Sequence, residues 1–448
     1  MTKRPRVLVV GGGVAGMAAA CSLADACEVT LLEKRPFLGG RVYSVRDARM
    51  DCAVDNAQHV FLGCFERLRG FLKKLGLQED AHLQEIFRLR LFTPRGQVVF
   101  HAAPLPAPLH LAPALFRLKP LSWRERLAVA RAMDRIRRMG EDEVRGFEGK
   151  NFGEWLRATG QSPAAVTYFW DFFALAALNA HVDQADAAAA FFVFRKGLLE
   201  SRKFSSVGYL LRGQEAVGRA ARAYVESRGG RVLTERGAAA LTLERSSVAG
   251  VQDVTDKRHT ADAYILALPP AELYALAPPS LRTLKPFSHL PRLEGSPIVG
   301  VHLWYDRPVV DFDFAGFPGH RLQWVFNKSR IFGIPSRDTQ YLSVVLSSAR
   351  EWLDAPKERA VQAMDEAIKE FFPEARRAAL VYSRVVKEPA ATLLPFPGYH
   401  CLRPAPRAGI PNLLLAGEWT ATGWPSSMEG AVRSGEACAR LVLERDFC

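Results

Sequence analysis

The feature that most constrains the fold is a strand, a glycine turn and an acid near the start of the chain. An apolar run, Val7–Val10, is followed by a G-x-G-x-x-G turn whose glycines are Gly11, Gly13 and Gly16. A second apolar run, Val29–Leu32, ends at the acid Glu33. Such a turn brings backbone close to a pyrophosphate at a helix N-terminus, and the acid can accept hydrogen bonds from a ribose. Glycine turns also join elements that bind nothing, but this strand, helix and acid together favour a dinucleotide site. The carboxylate would repel a 2′-phosphate.

The composition is that of a globular protein. The chain has 448 residues, 48% of them hydrophobic, which is enough for two domains with sizeable cores. Its seven cysteines form no C-x-x-C pair, so we expect neither disulfides nor a metal site, and a reducing cytoplasm fits. The net charge of +13 indicates an anionic partner. The arginines are scattered and no nucleic-acid-binding module is recognisable, so nucleic acid is not expected.

One apolar segment, residues 100–123, suggests contact with a membrane. Its prolines exclude one long helix, and the chain contains no uninterrupted apolar stretch of about 18 residues that would predict a transmembrane helix. Arg117, Lys119, Arg124 and Arg126 flank the segment. An apolar loop with a basic collar is typical of a segment that inserts into one face of a bilayer. The alternative is a buried loop between domains.

Further patterns predict the elements around the nucleotide site. They are a helix over 215–228, a meander of strands over 231–234, 239–244 and 248–254, and a buried strand over 263–268. A last buried strand, 412–416, ends at Gly417 and Glu418, and a helix begins near Ser427. A helix N-terminus beside a strand-end acid predicts a second polar contact with the cofactor.

Motifs spread over the whole chain resemble the amine oxidase and phytoene desaturase group of flavoproteins. They are the N-terminal fingerprint, Leu38-Gly39-Gly40-Arg41, the strand 265–270 and the box 416–419. Residues 55–64, 178–179 and 418–435 resemble one subfamily, the squalene-associated FAD-dependent desaturases or hydroxysqualene dehydroxylases. Its members reduce hydroxysqualene to squalene for hopanoid or sterol synthesis. Ala57 and Glu418 depart from the glycine and aspartate that are usual there.

The resemblance implies an α/β fold with two interleaved parts. A discontinuous, Rossmann-like FAD-binding domain of the glutathione reductase type is expected over residues 1–75, 206–270 and 396–448. An α+β substrate domain is expected over 76–205 and 271–395. The cysteine content and the apolar segment 100–123 together predict a cytoplasmic protein held peripherally at a membrane.

The same resemblance implies which residues hold FAD. The expected set is Gly11, Gly13, Val14, Ala15, Gly16 and Gly40 around the pyrophosphate, Glu33 on the ribose, Lys34 and Ala238 near the adenine, Arg41, Gly417 and Glu418 on the phosphates and ribityl chain, and Ala57, Gln58, His59 and Met428 beside the flavin. Cys401 lies too close to Gly417 to match the flavin-linking cysteines of amine oxidases, so non-covalent FAD is expected.

Reductive removal of an allylic hydroxyl requires a hydride, a proton and stabilisation of cationic character. The candidates for proton transfer are His59, Asp55, Gln58 and Tyr168. The candidates that line a tunnel for a triterpenoid are Phe169, Trp170, Phe172, Phe173, Leu178, Asn179 and Trp424, with a plain helical core as the alternative for the aromatic run. The chain carries no second dinucleotide fingerprint, so an external electron donor is expected.

Two other functions stay open at this point. An oxidative carotenoid-type desaturase or amine oxidase on the same fold would share every FAD contact and differ in its product. A flavin-free, lipid-binding escort-type protein would keep the fold without the cofactor.

Overall fold

A buried parallel sheet and a larger mixed sheet organise the part of the chain that this computed structural model describes, residues 4–334 and 339–444. The strands are β1 (Arg6–Val10), β2 (Glu28–Leu32), β3 (Ser44–Asp47), β4 (Cys52–Asp55), β5 (Phe61–Leu62), β6 (Ala81–Leu83), β7 (Arg88–Thr93), β8 (Gly96–His101), β9 (Val207–Leu210), β10 (Arg231–Leu233), β11 (Ala238–Glu244), β12 (Ser247–Asp253), β13 (Arg258–His259), β14 (Ala263–Leu266), β15 (Gly295–Tyr305), β16 (Phe314–Phe317), β17 (Gln323–Asn327), β18 (Gln340–Ser347), β19 (Leu380–Leu393) and β20 (Leu413–Leu415).

The α-helices are α1 (Val14–Leu23), α2 (Glu66–Lys74), α3 (Ala112–Phe116), α4 (Trp123–Arg138), α5 (Glu141–Arg145), α6 (Phe152–Ala158), α7 (Pro163–Ala165), α8 (Asp171–Leu178), α9 (Ala187–Val193), α10 (Glu215–Glu226), α11 (Pro270–Leu276), α12 (Pro279–Arg282), α13 (Lys328–Ile331), α14 (Arg350–Leu353), α15 (Lys357–Phe371), α16 (Pro373–Arg376) and α17 (Met428–Leu443). Short 3-10 turns occur at Leu109–Leu111, Phe287–Arg292 and Tyr399–Leu402, and π-helical turns at Val166–Trp170 and Phe194–Leu199. None of the helices in the described residues is long and apolar enough to cross a membrane.

The parallel sheet has the strand order β10-β2-β1-β14-β20 and is buried on both faces. Along β1, Val7 and Val9 pack against α1, α10 and α17, whereas Leu8 and Val10 pack in the cluster that includes β11 and β12. A strand that is covered on both faces has no polar positions to alternate with apolar ones, which explains the continuous apolar runs in the sequence. The sheet therefore lies between a layer of helices and a small meander.

One predicted strand lies in a different sheet. Residues 231–234 were expected to begin the meander, but β10 pairs in parallel with β2 at the edge of the buried sheet. The meander consists of β11, β12 and β13 instead. A three-residue apolar run carries no signal that separates an edge strand of a parallel sheet from a hairpin strand, so the pattern alone could not decide between them.

The second large sheet has the order β19-β15-β18-β17-β16-β7-β8 and is antiparallel except between β16 and β7. One face, with Val325 and Val344, packs against α15. The other face presents Trp324, Phe326 and Val345 to an internal cavity. These layers confirm the predicted α/β class with an interleaved α+β part. The boundaries near residues 75, 205, 270 and 395 remain a prediction.

The helices α1 and α17 cross without a side chain between them at Gly435. A Cβ atom at this glycine would lie 2.2 Å from the carbonyl oxygen of Ala15 and 2.8 Å from the amide nitrogen of Ala19. Both neighbours are backbone atoms of α1, which move only if the helix moves. The crossing therefore requires glycine, whereas Gly70 in α2 has open space around it.

Gly435→Ala and Gly70→Ala should change stability in opposite directions. We expect Gly435→Ala to lower the free energy of unfolding by about 1–3 kcal/mol, because the methyl group overpacks the crossing. Gly70→Ala should raise it by about 0.5–1 kcal/mol, because alanine favours an open helical position. Urea unfolding followed by tryptophan fluorescence measures both. Equal stability of Gly435→Ala and wild type would show that the crossing relaxes freely.

Candidate cofactor and substrate site

The first glycine turn forms one wall of a cavity of about 510 Å³. Gly11 has a φ of +105°, and a Cβ atom there would lie 2.4 Å from the carbonyl oxygen of Ala267. At Gly16 a Cβ atom would lie 1.9 Å from the carbonyl oxygen of Gly11. Gly16 therefore stands behind the turn and permits its shape, while Gly11, Gly13, Val14 and Ala15 line the cavity.

A second glycine closes on the turn from the opposite side. Gly40 has a φ of +59°, and a Cβ atom there would lie 2.9 Å from the Cα atom of Gly13. The amide of Gly39 donates to the carbonyl of Gly12 at 2.8 Å. Helix α1 begins directly after Gly13, which offers no side chain to cap the first amide groups. These amides are left for a bound anion, and the cradle has the geometry of a pyrophosphate site.

The acid at the end of β2 lies inside this cradle. The Oε2 atom of Glu33 accepts from the amide of Gly12 at 2.7 Å and its Oε1 atom from that of Arg35 at 2.8 Å. A carboxylate can accept about four hydrogen bonds, so two sites remain for a diol. Lys34, which pairs with Glu272 at 2.8 Å, and Ala238 also line the cavity here.

Two predicted cofactor contacts bind each other. The guanidinium of Arg41 contacts the Oε2 atom of Glu418 at 2.6 Å, and both side chains line the cavity. Gly417 has a φ of +154°. Its carbonyl accepts a hydrogen bond from the hydroxyl of Thr420, and its amide donates to Ser434 Oγ at 2.9 Å. Arg41 thus carries a compensated charge at this wall.

The turn after Glu418 is fixed by a residue that the sequence patterns did not reveal. The buried guanidinium of Arg403 donates to the carbonyls of Glu418 at 2.9 Å, Trp419 at 3.3 Å and Thr420 at 2.5 Å. Burial lowers the pKa of Arg403. An arginine in a coil segment has no sequence signal for such a role, because its carbonyl partners become neighbours only in the fold.

Helix α17 points its N-terminus at the same cavity. Met428 lines the cavity at the first position of the helix, and Ser427 caps it by accepting from the amide of Gly430 at 3.2 Å. The fully buried Glu429 accepts from the amide of Leu68 at 2.9 Å and from Arg433 at 2.7 Å. The cavity therefore receives the positive ends of two helices, α1 and α17.

A buried ion pair supports the segment that carries the predicted catalytic residues. The ammonium of Lys328 contacts Asp55 Oδ2 at 2.7 Å and Gln58 Oε1 at 2.6 Å, and both ionic groups are shielded from solvent. Asp55 does not line the cavity. Its predicted role as a proton donor is therefore corrected: its carboxylate pairs with Lys328 and also accepts from Ser44. Gln58 lines the cavity, but its side-chain oxygen is occupied.

His59 lines the cavity directly after Gln58. Its Nδ1–H donates to the carbonyl of Ala57, which also lines the cavity, at 3.1 Å, so the proton of the neutral ring is on Nδ1. Burial lowers the pKa of His59. The lowered pKa favours the neutral ring near pH 7, and the imidazolium forms in more acidic solution.

The cavity continues from the cradle into an apolar compartment. Its aliphatic and aromatic walls come from Leu62, Phe87, Leu89, Phe173, Leu178, Phe192, Leu198, Val207, Phe314, Trp324, Phe326, Val345 and Trp424. Among the charged lining residues, Lys196 belongs to this end and pairs with Glu200 at 2.8 Å. Apolar walls with few polar groups favour an apolar, uncharged ligand.

Part of the predicted tunnel faces elsewhere. Phe173, Leu178, Asn179 and Trp424 line the cavity as predicted. Phe169, Trp170, Phe172 and Tyr168 do not: they belong to the core or, for Tyr168, lie against Gly319. Trp170 donates to Gln161 at 2.8 Å, and Phe172 stacks on Trp324 at 4.7 Å. A helix that is apolar on all sides gives no sequence signal for the face that meets a ligand.

Asn179 lines the cavity, but its side chain is hydrogen-bonded to neighbouring elements of the fold. It ends α8 with a φ of +51°, donates to Ser296 and Thr392, and accepts from the amide of Ser348 at 2.6 Å. Its amide group is thus fully engaged with the second large sheet.

Lys328→Met should strongly destabilise the protein. The substitution leaves the buried Asp55 carboxylate without its cation, which costs about 3–5 kcal/mol of unfolding free energy. Adding Asp55→Asn removes the stranded charge and should recover most of that loss. Urea unfolding of the single and double variants measures both. A single variant as stable as the double one would contradict the ion pair.

His302 provides a prediction for acid stability. This buried imidazole contacts the hydroxyl of Tyr341 at 2.8 Å, and burial lowers its pKa to about 3. In the unfolded chain it titrates near 6.5, so below that pH the unfolded state binds one more proton and stability falls by about 1.4 kcal/mol per pH unit. We expect His302→Gln to lose stability less steeply than wild type between about pH 6.5 and pH 4. Unfolding in urea at several pH values measures the slopes, and parallel slopes would contradict this role.

The comparisons with known proteins agree with this geometry. Residues 14–443 match the family of flavin-containing amine oxidoreductases. The chain is 28% identical to the 15-cis-phytoene desaturase of Synechococcus elongatus over 98% of this chain and 96% of that protein. It is 26% identical to the zeta-carotene desaturase of Zea mays over 98% and 83% of the two chains.

Solved structures share the fold. An oxidoreductase from Methanosarcina mazei has a TM-score of 0.74 at 18% identity and covers 98% of this chain and 100% of its own. Cyclohexylamine oxidase from Brevibacterium oxydans has a TM-score of 0.67 at 17% identity and covers 99% of each chain.

The cofactor is FAD. The residues of the cavity fit it, because the contact of Gly13 with Gly40 leaves backbone amides open for the pyrophosphate and Glu33 keeps acceptor sites for the ribose. Cys401 is exposed and does not line the cavity, in keeping with the prediction of non-covalent FAD. The protein is a flavin oxidoreductase of the amine oxidase and carotenoid desaturase type, and the chain belongs to the family of flavin-containing amine oxidoreductases.

Proposed function

We propose that this enzyme acts on a long, uncharged isoprenoid and removes the hydroxyl group of hydroxysqualene reductively, giving squalene. The observation that carries the proposal is the continuity of the cavity, which joins the FAD cradle to an apolar compartment. The motifs at residues 55–64 and 418–435, which resemble hydroxysqualene dehydroxylases, support the choice of substrate. The products are squalene for triterpenoid synthesis and water.

The charges of the cavity support an uncharged substrate. Its carboxylates are Glu33, Glu272, Glu388 and Glu418, and each already has a partner near the cradle. The apolar end offers no carboxylate to an ammonium ion. Burying a cation without a counter-charge is strongly unfavourable, so this cavity suits an isoprenoid better than an amine.

The chain's own residues supply what the reaction needs besides hydride. Bound FAD supplies hydride transfer. The aromatic faces of Phe173 and Trp324 favour the cationic character that develops as the hydroxyl departs. The apolar walls exclude water from the reacting carbon. His59 is the lining residue whose imidazolium can protonate the departing oxygen, and its lowered pKa favours this step at acidic pH.

We propose that the electrons come from an external donor. The sequence carries one G-x-G-x-x-G fingerprint, which FAD takes, and it shows no second fingerprint for NAD(P)H. Stopped-flow mixing of the FAD-loaded enzyme with NADPH tests the point. Slow reduction of the flavin is expected, and reduction by NADPH alone at the rate of turnover would contradict it.

A second candidate is oxidative desaturation of a carotenoid precursor. The observation in its favour is the likeness to 15-cis-phytoene desaturase over nearly the whole of both chains. This reaction would use the same FAD contacts and the same apolar compartment, with electrons flowing from the substrate to the cofactor. The intact cradle argues against a flavin-free escort-type protein.

Product analysis separates the two candidates. The photoreduced enzyme is incubated anaerobically with hydroxysqualene, and the oxidised enzyme with phytoene and a quinone. Mass spectrometry is expected to find squalene in the first reaction and unchanged phytoene in the second. Desaturated phytoene without any squalene would overturn the proposal in favour of the second candidate.

Narrowing the apolar compartment should reduce activity without loss of FAD. Val345→Phe places a larger side chain on the cavity wall, and we expect kcat/KM to fall about tenfold or more because overpacking costs about 1–3 kcal/mol. The exposed Val381→Phe on β19 is the matched control. FAD absorbance should be the same in both variants. Unchanged turnover in Val345→Phe would show that the substrate does not enter this compartment.

A further inference from the structure

The proline-rich segment between β8 and α4 is apolar on two opposite sides. Its inner side, with Leu111, Leu115, Leu118 and Leu121, is buried in the core. On its outer side the exposed fractions are 41% for Leu105, 57% for Leu109, 47% for Phe116 and 64% for Trp123. The buried side holds the segment in place, so the outer apolar side chains form a fixed surface. We call Leu105, Leu109, Phe116 and Trp123 the apolar face.

Exposed apolar side chains are concentrated here. Among the described residues, ten large hydrophobic side chains are exposed, and four of them are those of the apolar face. The other six are spread from Ile86 to Leu443. Single exposed hydrophobic residues are normal, whereas a cluster of them marks a surface that contacts another apolar phase.

The segment that carries the apolar face has charges of one sign. From Phe100 to Arg124 the chain contains Arg117, Lys119 and Arg124 and no acidic residue. All three side chains are exposed. The first acid, Glu125, is engaged by Ser122 and Ser162. Arg126, expected in the basic collar, instead donates to the carbonyls of Phe116 at 2.6 Å and Leu118 at 3.2 Å and fixes the end of α3.

We propose that the apolar face, with Arg117, Lys119 and Arg124, docks on the surface of an anionic lipid bilayer. Exposed leucine, phenylalanine and tryptophan side chains enter the interface while cations contact lipid phosphates, which is the chemistry of a protein that inserts into one leaflet. A segment whose own charges are all cationic complements an anionic plane better than it complements a second copy of this basic chain, whose net charge is +13.

The segment that carries the apolar face follows β8, and Phe100 of that strand packs beside the cavity. Phe100, at the start of the segment, contacts Phe87 at 6.1 Å and Phe173 at 5.8 Å between ring centroids. Both of these rings line the apolar compartment. The chain therefore runs from a strand beside the wall of the apolar compartment into the segment that carries the apolar face. The docking itself is independent of the proposed reaction.

Vesicle sedimentation of the full-length, FAD-loaded protein tests the proposal. Wild type should sediment with phosphatidylcholine vesicles that contain phosphatidylglycerol. Leu109→Glu combined with Phe116→Glu should abolish this binding. Leu284→Glu, at an exposed leucine (51%) outside the face, is the matched control and should bind as wild type does. No sedimentation of wild type, or equal sedimentation of the double variant, would overturn the proposal.

The cations are tested in the same assay. Arg117→Gln with Lys119→Gln should weaken binding to the anionic vesicles by at least about fivefold and should leave binding to pure phosphatidylcholine unchanged. Lys357→Gln with Arg359→Gln, which removes two exposed cations from α15, is the control. An equal loss in both pairs would show a non-specific effect of net charge and would overturn the assignment of this face.

Two further measurements keep the test decisive. Quenching of tryptophan fluorescence by brominated lipids should occur in wild type and be reduced in Trp123→Phe, a variant that keeps an apolar ring. Light scattering without lipid should give the same mass for wild type and for the Leu109→Glu, Phe116→Glu variant. If wild type forms an oligomer and the double variant is a monomer, the proposal is overturned, because a second copy of the chain would then cover the face.

Discussion

The structure depends on two places where two backbone segments pack against each other with no side chain between them. Gly13 and Gly40 close the cradle, and Gly435 lets α17 lie directly on α1. Together they aim two helix N-termini at one cavity, so the partial positive charges of both helices act on the cofactor. A methyl group at Gly40 or Gly435 would push apart the elements that create this field, which explains why glycine recurs at positions far apart in the sequence.

The buried ion pair between Lys328 and Asp55 joins the cofactor side to the substrate side. Its two residues are 273 positions apart, and Lys328 follows β17 in the mixed sheet while Asp55 ends β4. Desolvation of two charges cancels much of their attraction, so the pair contributes more to alignment than to stability. Through Gln58 it fixes the segment 57–59, which lines the cavity, and the neutral His302 beside it adds no further charge.

The sequence was informative wherever the relevant contacts are local. Gly11, Gly13 and Gly16 with Glu33 form one continuous βαβ unit, and the cradle was predicted from them. The first strand of the meander was misplaced because β10 finds its partner through tertiary pairing. Tyr168 and Trp170 lie in the π-helical turn Val166–Trp170 and do not line the cavity, which a run of aromatic residues in the sequence could not reveal. Lys328 and Arg403 gave no signal, because a single basic residue acquires its role only when distant acceptors surround it.

The strand that carries the first glycine turn lies at the centre of its sheet, between β2 and β14. Its second neighbour begins at Ala263, and the outer strand β20 begins at Leu413. During synthesis the first apolar strands therefore remain without half of their sheet until most of the chain has left the ribosome. Long-range parallel pairing of this kind is slow and leaves unpaired strand edges exposed to aggregation. The architecture that makes one cavity from distant segments thus leaves strand edges of the nascent chain unpaired until its last strand arrives.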